Sequence, residues 1–145
     1  MFLSKSQAPF WRRLALQALW LHGLWEAVQC LLFYDMSGVP FTRAAFIMIG
    51  AISADVVLTL ILVAFALRLA RGHLGRALLL LAAGGAVAAI LIEILALALG
   101  WWRYSPTMPA IGFIGRSIGV LPVVQMMVLP SFALVLARSF PSKSN

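Results

Sequence analysis

Residues 77–101 read ALLLLAAGGAVAAILIEILALALGW, and Glu93 is the only charged side chain among them. An α-helix rises about 1.5 Å per residue, so this run can cross a hydrocarbon layer about 30 Å thick. Three other runs qualify on the same ground, at about 14–34, 44–69 and 110–137. The linkers DMSGVPFTR, RGHLGR and WRYSPTMP are short and carry Gly, Pro and Ser, which favour tight reversals. The expected fold is all-α: a polytopic membrane protein forming an up-down bundle of four transmembrane helices, with residues 1–145 as a single membrane domain.

Composition agrees. The chain is 63% hydrophobic and 10% charged, with a mean hydropathy of +1.03, whereas a soluble domain carries roughly 25% charged residues. The net charge of +7 does not imply nucleic acid, because no basic stripe interleaved with aromatics occurs. The cations set topology instead. Lys5, Arg12, Arg13, Arg68, Arg71, Arg76, Arg138 and Lys143 fall on one side of the four spans, against Arg43 and Arg103 on the other. The positive-inside rule then puts both termini in the cytoplasm, and a bacterial inner membrane is the expected location. Trp101, Trp102 and Tyr104 mark the outer interface and Trp11 the inner one. The first span has no small-residue cleavage site, and Gln29 before Cys30 argues against lipoprotein processing, so this helix is expected to be retained. A single cysteine supports neither a disulfide framework nor a thiolate metal site.

Four acids are present, and Glu26, Asp55 and Glu93 interrupt apolar runs. An ionisable group at the bilayer centre costs roughly 2.5–3.5 kcal/mol on insertion scales, which makes each a candidate functional residue. Helical spacing puts His22, Glu26 and Gln29 on one face, Ala51, Asp55 and Thr59 on another, and Gly85, Ala89 and Glu93 on a third. In the fourth span Gly112, Gly115, Gly119 and Pro122 share a side with Arg116 and Gln125 beside it, so all four polar rows are expected to converge. By depth, His22 and Asp55 fall near the midplane, and Glu26 and Glu93 in the outer half. Arg116 is the expected counter-charge for Glu26 or Glu93. One arginine cannot neutralise three carboxylates, so at least one acid is expected to hold its proton. Pro122 and Pro130 should free the carbonyls of Ile118 and Met126 and open space near Gln125, with Met126 and Met127 as adaptable apolar surface.

Each feature has a functional and a structural reading. His22 and Glu26 are either an acid–base couple or a hydrogen-bonded pair that fixes register. Asp55 with Thr59 is either a proton or cation site or an interhelical hydrogen bond. The segment 101–109 is either a lid or, as favoured, an interfacial anchor and turn. The glycine row suits helix packing, since no phosphate-binding glycine motif occurs, and H-x-x-x-E lacks the second histidine of a zinc motif. His73 lies in a linker, which disfavours bis-histidine haem ligation. No metal or cofactor is expected. The candidate catalytic residues are His22, Glu26, Asp55 and Glu93, and the candidate ligand-binding residues are Arg116, Gln125, Tyr104, Trp25 and Thr59.

The stretch His22-Gly23-Leu24-Trp25-Glu26, followed by Tyr34, is similar to a pattern in the EXPERA group. That group includes the sterol Δ8-Δ7 isomerases and sigma-2 receptor-like membrane proteins, with four- and five-helix folds. The resemblance implies proton transfer in an apolar sterol pocket, with His22 and Glu26 as its agents. It covers only residues 22–34, and Asp55 and Glu93 have no match in it. Three readings stay open: an enzyme or binder of an apolar lipid- or isoprenoid-like molecule, a non-catalytic subunit of a larger membrane complex, and a proton- or cation-coupled transporter acting as a homo-oligomer.

Overall fold

The computed structural model describes residues 7–113 and 115–139; Lys5 and Lys143, used above for topology, lie outside the described residues. Helix α1 spans Ala8–Phe33, α2 Phe41–Ala70, α3 Leu74–Leu99 and α4 Val120–Ser139. A two-stranded antiparallel sheet, β1 Ala110–Phe113 and β2 Arg116–Gly119, precedes α4.

Local chemistry sets these boundaries. Pro9 stands in the first turn of α1, where its missing N–H costs nothing. Helix α2 stops at Arg71 in the left-handed region (φ 49°), followed by Gly72 at φ 90°. Helix α3 ends in a Schellman motif: Gly100 turns left-handed, its N–H reaches Leu97 O, and the Trp101 N–H reaches Ala96 O at 2.9 Å. The chain then folds back over the last turns of α3. Helices α2, α3 and α4 are each long and apolar enough to cross a membrane. Helix α1 does not join them, because Gln17, His22, Glu26 and Gln29 dilute its apolar character. Large side chains such as Trp20, Leu31, Phe41, Phe46 and Leu79 are at least 74% exposed, a surface suited to lipid contact and compatible with an integral membrane protein.

The fourth span needs correction. Its expected start, residues 110–119, is an antiparallel hairpin with Ala110 opposite Gly119 and Phe113 opposite Arg116, closing through Gly115 at φ 72°. Three glycines in ten residues cost a helix about 1 kcal/mol each, and the isoleucines between them suit a strand. Gly112, Gly115 and Gly119 are therefore not a helical row. Pro122 sits in the first turn of α4, so it breaks no helix hydrogen bond, and only Pro130 is interior.

Packing divides the molecule into two halves. Leu14 and Ala18 of α1, Val63, Ala66 and Ala70 of α2, Ala77 and Leu81 of α3, and Ala133, Leu134 and Ala137 of α4 form one dry cluster. Alanine at most contacts lets the helices approach closely. Above this cluster α2 diverges: its buried residues are Thr59, Val63, Ala66 and Ala70, with none before Thr59. Helix α3 stays close to α4 through Gly85, where an added Cβ would fall on the Met126 carbonyl. That carbonyl is the one Pro130 leaves without a helix donor. It is directed at Gly85 of α3, where a Cα–H can approach it, and not at the space around Gln125 as expected.

Gly85→Val should therefore force α3 from α4 and lower stability by about 2–3 kcal/mol. Gly23→Ala, where nothing stands within 4 Å, should leave the thermal unfolding midpoint in detergent unchanged or slightly raised. Equal midpoints for the two variants would contradict the close approach.

Candidate functional site

Three helices deliver polar side chains to one place. The Gln125 Nε2 of α4 lies 3.0 Å from Glu26 Oε1 and 3.1 Å from His22 Nδ1, both on α1, and 2.8 Å from Asp55 Oδ2 on α2. His22 Nε2 is hydrogen bonded to Thr59 Oγ1 at 2.9 Å, and its Nδ1 stands 3.5 Å from Asp55 Oδ2. His22 and Thr59 are fully buried and Gln125 nearly so. An amide nitrogen has two hydrogens, which suffice for the Glu26 and Asp55 carboxylates, and the His22 Nδ1 beside them donates or accepts according to its tautomer. Of these groups, the two carboxylates face a cavity.

Glu93 is held separately. The Gly119 N–H donates to the Tyr104 hydroxyl at 2.9 Å, and the Tyr104 O–H donates to Glu93 Oε2. The Trp102 indole N–H approaches the same oxygen at 3.4 Å. A Cβ at position 119 would come within 3.1 Å of the Tyr104 ring, so the glycine makes room for that phenol. The fold-back after Gly100 brings both aromatic residues onto α3. The same segment also closes α1: Thr107 Oγ1–H donates to Leu32 O at 2.6 Å and the Ser105 N–H to Phe33 O at 2.9 Å. Those are last-turn carbonyls without helical partners. Segment 101–109 therefore ties down the end of α1 and positions Glu93.

A cavity of about 560 Å³ lies between the two groups, lined by Glu26, Asp55, Glu93 and Gln125 on its polar side. Its apolar side comes from Ile47, Met48, Ala51 and Ala54 of α2, Ala89 and Ile92 of α3, and Met126 of α4. Exposed Phe46, Gly50 and Ala54 of α2 and Ile92 and Leu99 of α3 form its rim. Met36 and Arg43 near the start of α2, and Gly100 and Trp101 after α3, line its end as well.

The candidate residues fall into three sets. Glu26, Asp55, Glu93 and Gln125 meet at the cavity. His22 and Thr59 stand behind it and reach it only through Gln125 and Asp55. Tyr104 acts on Glu93, and Trp25 donates to Gln29 Oε1 at 2.5 Å on its own helix without lining the cavity. Arg116 is a correction: it lies exposed on β2, and among the described residues it has no carboxylate partner. The hairpin that replaces the helix start carries it away from Glu26 and Glu93. Arg43, Cys30 and Tyr34 also line the cavity and were not singled out as site residues. The small residues Gly50, Ala51 and Ala54 around Asp55 were the signal that space exists there. Outside the site, Asp35 accepts from the Ser37 hydroxyl at 2.5 Å and the Ser37 N–H at 3.0 Å, which holds its carboxyl below the usual range. Among the described residues, no three His, Cys, Asp or Glu side chains are grouped to hold a metal ion.

Comparison with protein-family models, curated proteins and solved structures finds no match to this chain.

The Glu93–Tyr104 contact should appear as a coupling. Tyr104→Phe and Glu93→Gln should each destabilise the protein by about 1–3 kcal/mol, and the double variant by clearly less than their sum. Additive losses in detergent unfolding would show that the phenol does not position the carboxylate.

Proposed function

We propose that this protein is a small integral membrane protein that binds an apolar, lipid- or isoprenoid-like molecule and moves a proton on it. The observation that carries the reading is the cavity itself: an apolar chamber whose polar wall holds Glu26, Asp55 and Glu93. Ligand sites are mostly apolar clefts of roughly 300–1,000 Å³ with a few converging polar groups, and this volume falls in that range. A general acid or base must come within hydrogen-bond reach of the proton it moves, and Glu26 and Asp55 stand together on the Gln125 amide at the cavity wall. Glu26 and Asp55 are the candidate proton-transfer residues, with His22 exchanging a proton with them from behind. Glu93, fixed by Tyr104, orients the polar end of the ligand.

In this reading the four helices form an up-down bundle with both termini in the cytoplasm, in the cytoplasmic membrane of a bacterium. The dry cluster supports alternation, since it joins the start of α1, the end of α2, the start of α3 and the end of α4. The rim between α2 and α3 then opens to lipid, which is how an apolar ligand would enter. A subunit whose acids serve only assembly has no use for such a chamber. A transporter needs a wet path from both faces, and the layer of Leu14, Ala18, Val63 and Leu81 beneath Thr59 supplies no polar step.

Native mass spectrometry of protein released gently from its own membranes tests the proposal. The expected result is a retained apolar small molecule, lost or reduced at least tenfold in Glu26→Gln and Glu93→Gln variants that remain folded. A bare protein, or a molecule retained equally by both variants, would count against it.

A further inference from the structure

A second concavity lies at the other end of the molecule, where no acid is found. It measures about 290 Å³ and is lined by Gln7, Phe10 and Trp11 at the start of α1, Leu67 near the end of α2 and Arg138 in the last turn of α4. Phe10 and Trp11 meet edge to face, with ring centroids 5.3 Å apart and planes at 73°, and form an apolar wall. The Arg13 Nε–H donates to Ala137 O at 3.3 Å, which sets a second guanidinium beside the turn that carries Arg138. Arg12, Arg68, Arg71 and Arg76 belong to the same end. The four acids of the chain are Glu26, Asp35, Asp55 and Glu93, and all belong to other parts of the fold. Among the described residues these guanidinium groups have no carboxylate partner, which suits an outside anion.

We propose that this groove holds one anionic glycerophospholipid, its phosphate on Arg138 and one acyl chain along Phe10, Trp11 and Leu67. The occupant must be amphiphilic, because the groove pairs a cation with an aromatic and aliphatic wall. A guanidinium matches a phosphodiester through two parallel N–H···O bonds. Gln7 lines the groove and brings an amide, a group able to donate to a glycerol or phosphate oxygen. An indole at the interface, with one side apolar and its N–H toward the headgroups, is the usual position of tryptophan in membrane proteins. Anionic lipid is enriched on the cytoplasmic leaflet, where basic residues near the surface gain roughly 1 kcal/mol each. The site requires membrane insertion but is independent of any ligand in the acid-lined cavity.

The test is lipid titration of the full chain in neutral detergent, read by native mass spectrometry, with phosphatidylglycerol, phosphatidylcholine and free glycerol 3-phosphate as probes. Phosphatidylglycerol should bind at least tenfold more tightly than phosphatidylcholine, and glycerol 3-phosphate should not compete. Arg138→Gln should weaken phosphatidylglycerol binding roughly fivefold, the equivalent of one surface charge. Leu67→Ser should weaken both phospholipids, while Arg76→Gln, an exposed arginine outside the groove, should change neither. Equal binding of the two phospholipids, or unchanged binding in Arg138→Gln, would overturn the site. So would an equal loss in Arg76→Gln, which would mean diffuse attraction, or tight binding of glycerol 3-phosphate, which would mean a headgroup site only.

Discussion

Carboxylates set within apolar helices must find hydrogen-bond donors in their own chain, and the open half of this protein is built around that need. In water each would be solvated from all sides. Between helices, Glu26 and Asp55 share the Gln125 amide, and Glu93 takes the Tyr104 phenol. Gln125 has a hydrogen for each of the two carboxylates, and the His22 imidazole beside them bonds to Thr59.

Backbone geometry makes those contacts possible. The tight approach of α3 to α4 depends on Gly85 and on the carbonyl that Pro130 leaves unpaired at Met126. The Schellman end of α3 turns the chain so that Trp102 and Tyr104 reach back to Glu93. Gly119, at the end of β2, lets the phenol rest on its backbone. Below Thr59 the alanine-rich contacts close the interior between the helices, and above it α2 has no buried residue and the acid-lined cavity forms. Substitutions that tighten the upper half should therefore act on the cavity, and those in the alanine cluster on folding.

Much of the architecture was legible from patterns of residues. The runs that became α2 and α3 need only length and hydropathy, and the shared faces of His22 with Glu26 and of Asp55 with Thr59 follow from helical spacing. What spacing cannot convey is which partner each side chain takes on another helix. Thr59 serves His22 and not a site at Asp55, and His22 lies behind the cavity wall, not in it. The start of the fourth span was misread because hydropathy does not distinguish an apolar strand from an apolar helix. The glycine spacing in AIGFIGRSIG was the contrary signal, and Arg116 left the site with that segment. Trp102 and Tyr104 were read as interfacial anchors, and Tyr104 also as a ligand-binding residue; their donation to Glu93 depends on a backbone turn that hydropathy does not encode.

The central claim is that the acids face an apolar chamber open to lipid. Photolabelling in native membranes with a small lipophilic diazirine, followed by peptide mapping, addresses it most directly, because such reagents trap carboxyl groups within reach of hydrocarbon. The account predicts adducts on Glu26, Asp55 or Glu93 and on inward residues such as Met48 and Ala51, reduced by an excess of extracted membrane lipid. Adducts confined to outward residues such as Trp20, Leu31 and Leu79, with all three acids unlabelled, would contradict it.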